Sequence, residues 1–294
     1  MKSVTQSAKM KPTPVISLTS DSCRELLTNK ATLPSMPDVA TRIHAALSSP
    51  NWSIGTIAAI IKGDPGTTTY LLRMANSAMY AGVEPIREID QAIARIGLDR
   101  TRALVMAHAV RSMFETRSRI LRELMRRTWK SSARLAANCA VLARNCSNLS
   151  PERALLAGLL QDIGVLPILS VLNKYEDQLS SETQVEGVID RYANQVGVVL
   201  LKHWHFESDM VDVALSRGGW QRVGGHKPEL ADLVLVARLH GQIAAGQAED
   251  VPRLDEVPAF SKFPFGGLLP DSSLEVLEER AADVNDVMRA LGAG

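Results

Sequence analysis

The chain of 294 residues is long enough for one large domain or two modest ones, and its 46% hydrophobic and 22% charged residues exclude wholesale disorder. Lys+Arg 33 against Asp+Glu 32 leaves a net charge of +1, which excludes the general basicity of a protein that coats nucleic acid. Aromatic residues at 4% with abundant Ala and Leu predict an all-α fold, because strands draw on aromatic and β-branched side chains.

Residues 1–20, rich in Ser, Thr, Lys and Pro, read as a flexible leader, and they lack the apolar run of a secretory signal. Helical spacing then places elements at Asp38–Leu47, Ser53–Lys62, Pro65–Ala75 and Asp90–Ile96, with Asp99 expected to cap a helix running through Val110. Arg119 to Asn145 carries few breakers and predicts a long helix. Ser150-Pro151-Glu152 is a start signal for the next, expected to end near Gly164. Ser181 with Gln184 has capping-box spacing for a helix reaching His205, and further helices are expected at Asp209–Ser216 and Glu229–Ile243. Residues 246–270 read as an irregular strap, and Asp271-Ser272 should open one amphipathic helix to Leu291.

The apolar stretch from Ala154 to Leu172 holds Gln161, Asp162, Gly164 and Pro167, a set that predicts a core segment and no membrane span. Three cysteines are too few for a disulfide framework. Cys139 and Cys146 are too far apart on one helix to pair, Cys23 stands alone near the leader, and the expected location is the cytoplasm.

Charge is distributed unevenly. From Arg87 to Lys130 there are 11 Lys+Arg against 5 Asp+Glu, whereas Glu249 to Gly294 has 4 against 10. Arg119, Arg122, Arg126 and Lys130 recur at three and four residues and make a basic stripe, with Glu123 expected to pair with Arg127. The stripe is a candidate interaction surface. The acidic terminal helix is expected to dock its apolar face on its own domain, on a partner or on a second copy, with Arg117 to Lys130 as the landing surface.

Several short runs stand in a fixed order: Leu33-Pro34-Ser35-Met36-Pro37, Asp64-Pro65, the segment around Asn76-Ser77, Ile96-Gly97-Leu98, Trp129, Leu156-Ala157-Gly158-Leu159-Leu160, Asp162-Ile163-Gly164, Val196-Gly197 and Trp204. Singly each has a structural explanation: Asp64 caps a helix with Pro65 at its first position, Asn76 and Ser77 end one, and Gly97 turns the chain. Together, over about residues 25–245, they resemble the HDOD family, a bacterial signalling module related to the HD phosphohydrolases. The resemblance implies an N-terminal helical bundle (21–116) packed on an HD-like helical half (117–245), with 246–294 as strap and terminal helix.

HD hydrolases hold divalent metal through histidines and aspartates, and the resemblance shows where this chain departs. The His-Asp position reads Gln161-Asp162, the upstream histidine position reads Lys130-Ser131-Ser132, and later ligand positions fall at Tyr192-Ala193-Asn194 and near Gly218-Gly219. One carboxylate and a neutral amide do not retain a catalytic ion, so no catalytic residue, metal or cofactor is expected. His203 and His205, two apart, diverge on a helix, and His44, His108, His226 and His240 are isolated in the sequence. The expected function is therefore that of a catalytically inactive signalling protein acting through protein–protein contact. A receptor for a cyclic dinucleotide and a residual phosphohydrolase are the alternatives. The expected partner is a signalling protein, with a second copy of the chain as another; nucleic acid and membrane are not expected.

Overall fold

The computed structural model describes residues 23–28, 33–48, 53–77, 80, 84–114, 119–173 and 182–293. The leader 1–20, Arg117, Ser181 and the side chain of Arg119 lie outside the described residues. Among those described, every regular element is helical and the sole β-feature is an isolated antiparallel bridge between Leu268 and Leu274, so the fold is all-α.

A short helix α1 (23–28) comes first, and its Cys23, which stands alone near the leader in the sequence, is fully buried in the larger core. The next four helices are α2 (Asp38–Ser48), α3 (Ile54–Lys62), α4 (Pro65–Ala75) and α5 (Ile89–Ile96). They gather Ile43, Ile57, Ile61, Leu71 and Ile93 into a smaller core. Their boundaries follow local chemistry. Ser53 Oγ accepts from the Thr56 N–H at 3.1 Å, and Asp64 Oδ2 accepts from the Thr67 N–H at 2.8 Å with Pro65 opening α4.

Gly97 lies between α5 and α6 (Leu98–Ser112) at φ 89, ψ 153, a conformation open essentially to glycine alone. That glycine, and not Asp99, is the N-cap of α6; Asp99 sits in the first turn, where its charge favours the helix dipole without capping. Helix α6 gives Leu104 and Val105 to the smaller core and Met106 to Val110 largely to the larger one, so it ties the two together.

The larger core is built on α7 (Arg119–Ala143), α8 (Pro151–Leu160), α9 (Val165–Asn173), α10 (Glu182–His203), α11 (Ser208–Leu215) and α12 (Leu230–Ala244). Two glycines of the recurring runs owe their identity to close packing. A Cβ on Gly158 would fall 2.6 Å from Ala136 Cα, and one on Gly164 would fall 2.1 Å from the Ala193 carbonyl oxygen. The helix opened by Ser150 stops at Leu160 instead of near Gly164, because a tight turn over 161–164 redirects the chain into α9. The segment Pro151–Asn173 is long and apolar enough to cross a membrane, but 89% of its most apolar window is buried against the rest of the protein.

The strap contains three single turns of 3-10 helix at Ala248–Asp250, Leu254–Glu256 and Phe260–Lys262, and it buries Leu254, Val257, Phe263 and Phe265 in the larger core. The terminal segment forms two helices, α13 (Glu275–Glu279) and α14 (Ala281–Ala290), where one was expected. Asp271 does not open it: its Oδ1 accepts from the Ser273 N–H at 2.9 Å and Ser272 takes a positive φ, so the chain turns before helix can start.

Helix α14 buries Val284, Val287 and Met288 against its own chain. It lands beside the C-terminal end of α7, with Asp283 at 3.0 Å from Arg144, and among the described residues no ion pair joins it to the stretch expected to receive it, Arg117 to Lys130. The Tyr70 hydroxyl donates to the Ala290 carbonyl at 3.1 Å, carrying the contact on to the smaller core.

Candidate functional site

The turn after α8 points two polar side chains into the larger core. The Gln161 N–H still donates to Ala157 O, and the Val165 N–H donates back to Asp162 O, so Gln161 and Asp162 are held at the junction of α8 and α9. Both are buried. Asp162 Oδ1 accepts from Arg217 Nε at 2.6 Å, and Oδ2 accepts from Arg238 Nη1 at 2.8 Å. The same Arg238 Nη1 also donates to Gln161 Oε1 at 2.9 Å.

Burial by itself would push the Asp162 carboxyl up, but the charges and hydrogen bonds of Arg238 and Arg217 outweigh it and hold the group at about 2. It is an anion at any ordinary pH. Arg217 is oriented in turn: Asn194 Nδ2 donates to the Arg217 carbonyl at 2.9 Å, Asp190 lies 3.5 Å from its guanidinium, and Gly218 at φ 71 turns the chain directly after it. Asp162 thus accepts hydrogen bonds from residues 55 and 76 positions away in the sequence.

A divalent ion does not fit these residues. Both carboxylate oxygens face guanidinium groups, which would repel a further cation, and among the described residues no group of three or more His, Cys, Asp or Glu is placed to hold one. At the upstream position Lys130 and Ser131 are exposed, while Ser132 is buried with its hydroxyl unpartnered; Gln161 Nε2 and Asn194 Oδ1 are unpartnered as well.

The histidines are used elsewhere. His240 Nδ1 accepts from the Leu274 N–H at 3.0 Å, and burial pushes that ring down to about 4. His108 stacks on Tyr70 at 4.6 Å, and His44 Nδ1 lies 3.3 Å from Arg102 Nη2.

The other sequence-marked residues sit well away in the chain's organisation. Asn76, read from the sequence as a helix end, is exposed, and its role is structural. Its Oδ1 accepts from the Ile86 N–H at 2.7 Å, and its Nδ2 donates to the Ile86 and Leu72 carbonyls, pinning the end of α4 to the approach to α5. An amide can do this at the surface because it copies the donor and acceptor of a peptide group. Ser77 Oγ donates to Met74 O at 2.7 Å. On α7, Arg122, Arg126 and Lys130 are exposed, and Glu123 pairs with Arg126 at 2.5 Å instead of with Arg127, which lies 3.8 Å from Glu186.

Sequence reasoning missed Arg217 and Arg238. A signal existed for the second: Arg238 lies among Leu, Val and Ala of a helix that is apolar nearly all round, and a cation in such a place needs a counter-charge. A second buried cluster lies at the start of α12. Asp232 Oδ1 accepts from Arg222 Nη1 at 3.2 Å and Oδ2 from Lys262 Nζ at 2.7 Å, while Arg222 also pairs with Glu229 at 2.5 Å. Beside it, Leu215 is 60% exposed and lines an open cleft of about 840 Å3 to which Trp220 and Pro252 contribute, and Val223, between the lining residues Arg222 and Gly224 in sequence, is 67% exposed.

Comparison with known proteins agrees with this architecture. The HDOD domain family matches residues 33–217. Among solved structures, a Shewanella amazonensis SB2B protein described as a candidate metal-dependent phosphohydrolase superposes with a TM-score of 0.77 at 21% identity, covering 94% of this chain and 99% of that one. A Geobacter sulfurreducens HDOD domain protein with unknown function gives 0.65 at 19% identity, covering 92% and 98%. A Marinobacter aquaeolei VT8 protein described as a candidate signal transduction protein gives 0.64 at 18%, covering 95% and 66%. An uncharacterised Treponema pallidum (strain Nichols) protein is 20% identical over 197 residues, 61% of this chain; the match spans 36% of that relative's length. At these identities the solved structures establish the fold.

Proposed function

The chain belongs to the HDOD family, and on that footing we propose that it is a non-catalytic signalling protein of the cytoplasm that works by binding another protein. The observation that carries this reading is the clamp of Arg217 and Arg238 on Asp162: the carboxylate at the position of a metal ligand is already neutralised by two fixed cations. Hydrolysis of a phosphate ester by a metal-bound water requires an ion held by several ligands with a position left open. The clamp supplies neither. It also engages both guanidinium groups, which leaves them poor candidates for the phosphates of a nucleotide.

The exposed apolar residues Leu215 and Val223, with Trp220 beside them, form the surface we assign to the partner, since such residues cluster where proteins meet. Purified full-length protein should contain substoichiometric transition metal and should leave phosphodiesters intact when manganese or iron is added. Stoichiometric metal together with metal-dependent turnover would overturn the reading. A Leu215→Asp, Val223→Asp double variant should melt like the parent and lose the signalling protein that the parent captures from native cells; retention of that protein would show the surface to be wrong.

A further inference from the structure

Between the terminal helices and the body of the molecule is a cavity of about 300 Å3, at the small end of ligand pockets. Helices α7 and α12 form one wall, α13 and α14 the other, and the buried side chains of Leu277 and Val284 contribute apolar surface. Asn138 on α7 lines this space. It is only 3% exposed, so the little surface it keeps is turned to the cavity it lines. Its amide brings both a donor and an acceptor to the cavity wall, which suits a polar guest.

Three further groups define which guest. Arg134 lines the cavity from α7 and Glu278 from α13, and neither has an ion-pair partner among the described residues. His240, whose Nδ1 is taken up by the Leu274 N–H, must carry its ring proton on Nε2 and is a hydrogen-bond donor only at that atom. The lining therefore offers one cation, one anion, an amide and one neutral donor. A dianion such as phosphate or a dicarboxylate would meet Arg134 but be repelled by Glu278, and a dinucleotide is too large for the volume.

We propose that this cavity binds a small zwitterion of amino-acid size, with its carboxylate at Arg134, its ammonium group at Glu278 and a further polar group on the Asn138 amide. The site draws on α7, which lies within the matched family region, and on α12 to α14, which lie beyond it. Its occupant would bridge the body of the protein and the terminal helices on either side of their break at Arg280. The proposal is independent of metal content and of the partner surface, so its failure would leave the functional reading untouched.

Calorimetry and thermal melting of the full chain with the common L-amino acids singly, and with succinate, ethanolamine and inorganic phosphate, test it. At least one amino acid should bind saturably at one site and raise the melting temperature, while the other three probes do not. Arg134→Gln and Glu278→Gln, both at exposed positions, should leave the ligand-free melting temperature unchanged and each weaken binding roughly tenfold or more, as loss of one charge-assisted hydrogen bond implies. Absence of binding by every amino acid, unchanged affinity in both variants, or binding of succinate or phosphate that tightens in Glu278→Gln would each overturn the proposal.

Discussion

Asp162 and Asp232 are both buried carboxylates, and each meets two cations, yet their surroundings differ in one respect that decides what each can do. Asp162 is the principal counter-charge for Arg217 and Arg238, whose side chains are 15% and 18% exposed. Asp232 shares its load: Arg222 has Glu229 as a second acid, and Lys262 comes from a single turn of the strap. The first arrangement joins helices of the main body at the turn between α8 and α9. The second fastens a peripheral segment. A buried carboxylate is thus a poor guide to chemistry until its partners are counted.

The largest expected effect follows from removing the shared anion of the first cluster. Asp162→Asn leaves two guanidinium groups buried without their counter-charge and should cost about 3–5 kcal/mol in urea unfolding. Its acid dependence has a definite sign. The folded-state carboxyl is depressed to about 2, below the ordinary value of about 4, so its contribution is complete above pH 4 and is lost as pH falls toward 2. The variant should lack that part of the acid loss. If Asp162→Asn unfolds with the parent's midpoint and the same acid slope, the clamp is not what holds the junction of α8 and α9.

Asp232→Asn should cost less, about 1–3 kcal/mol, because Arg222 keeps Glu229 and Lys262 can turn outward with the strap. Proteolysis within 246–270 should speed up in this variant and not in Asp162→Asn, which makes the comparison one of place as well as size. Equal losses in the two variants would abolish the distinction. The smallest effect is expected outside both clusters. Arg144→Gln removes an ion pair to Asp283 whose side chains are 49% and 35% exposed, and at most about 1 kcal/mol should be lost on thermal melting.

The same two aspartates show what could be read in the sequence and what could not. Asp232 lies three residues after Glu229, and its Oδ2 accepts from the Glu229 N–H at 3.0 Å, a bond local enough to be expected from spacing. The partners of Asp162 are set by how α8, α11 and α12 pack, which no local pattern encodes. Helices with caps, such as those opened by Asp64 and Ser150, were legible for the same reason as Asp232: their signals are written within four residues. The break at Arg280 was not, because the apolar face of 274–291 is continuous in spacing while the backbone there answers to docking on α7. Likewise Asn76 was recognisable as structural from its place at a helix end, but its exposure depended on where Ile86 returns.

The bond from Tyr70 to the Ala290 carbonyl has a consequence for synthesis on the ribosome. Ala290 belongs to the smaller core, whose other members all lie between residues 43 and 105, while its neighbours on α14 belong to the larger one. Neither core is complete until residue 290 has left the exit tunnel, although most of both has emerged long before. A nascent chain at that stage presents the apolar seat of α14 uncovered, and a partially folded chain with such a surface is what chaperones bind. Helix α14 is therefore synthesised after nearly all of both cores it joins, and it reaches the two at once.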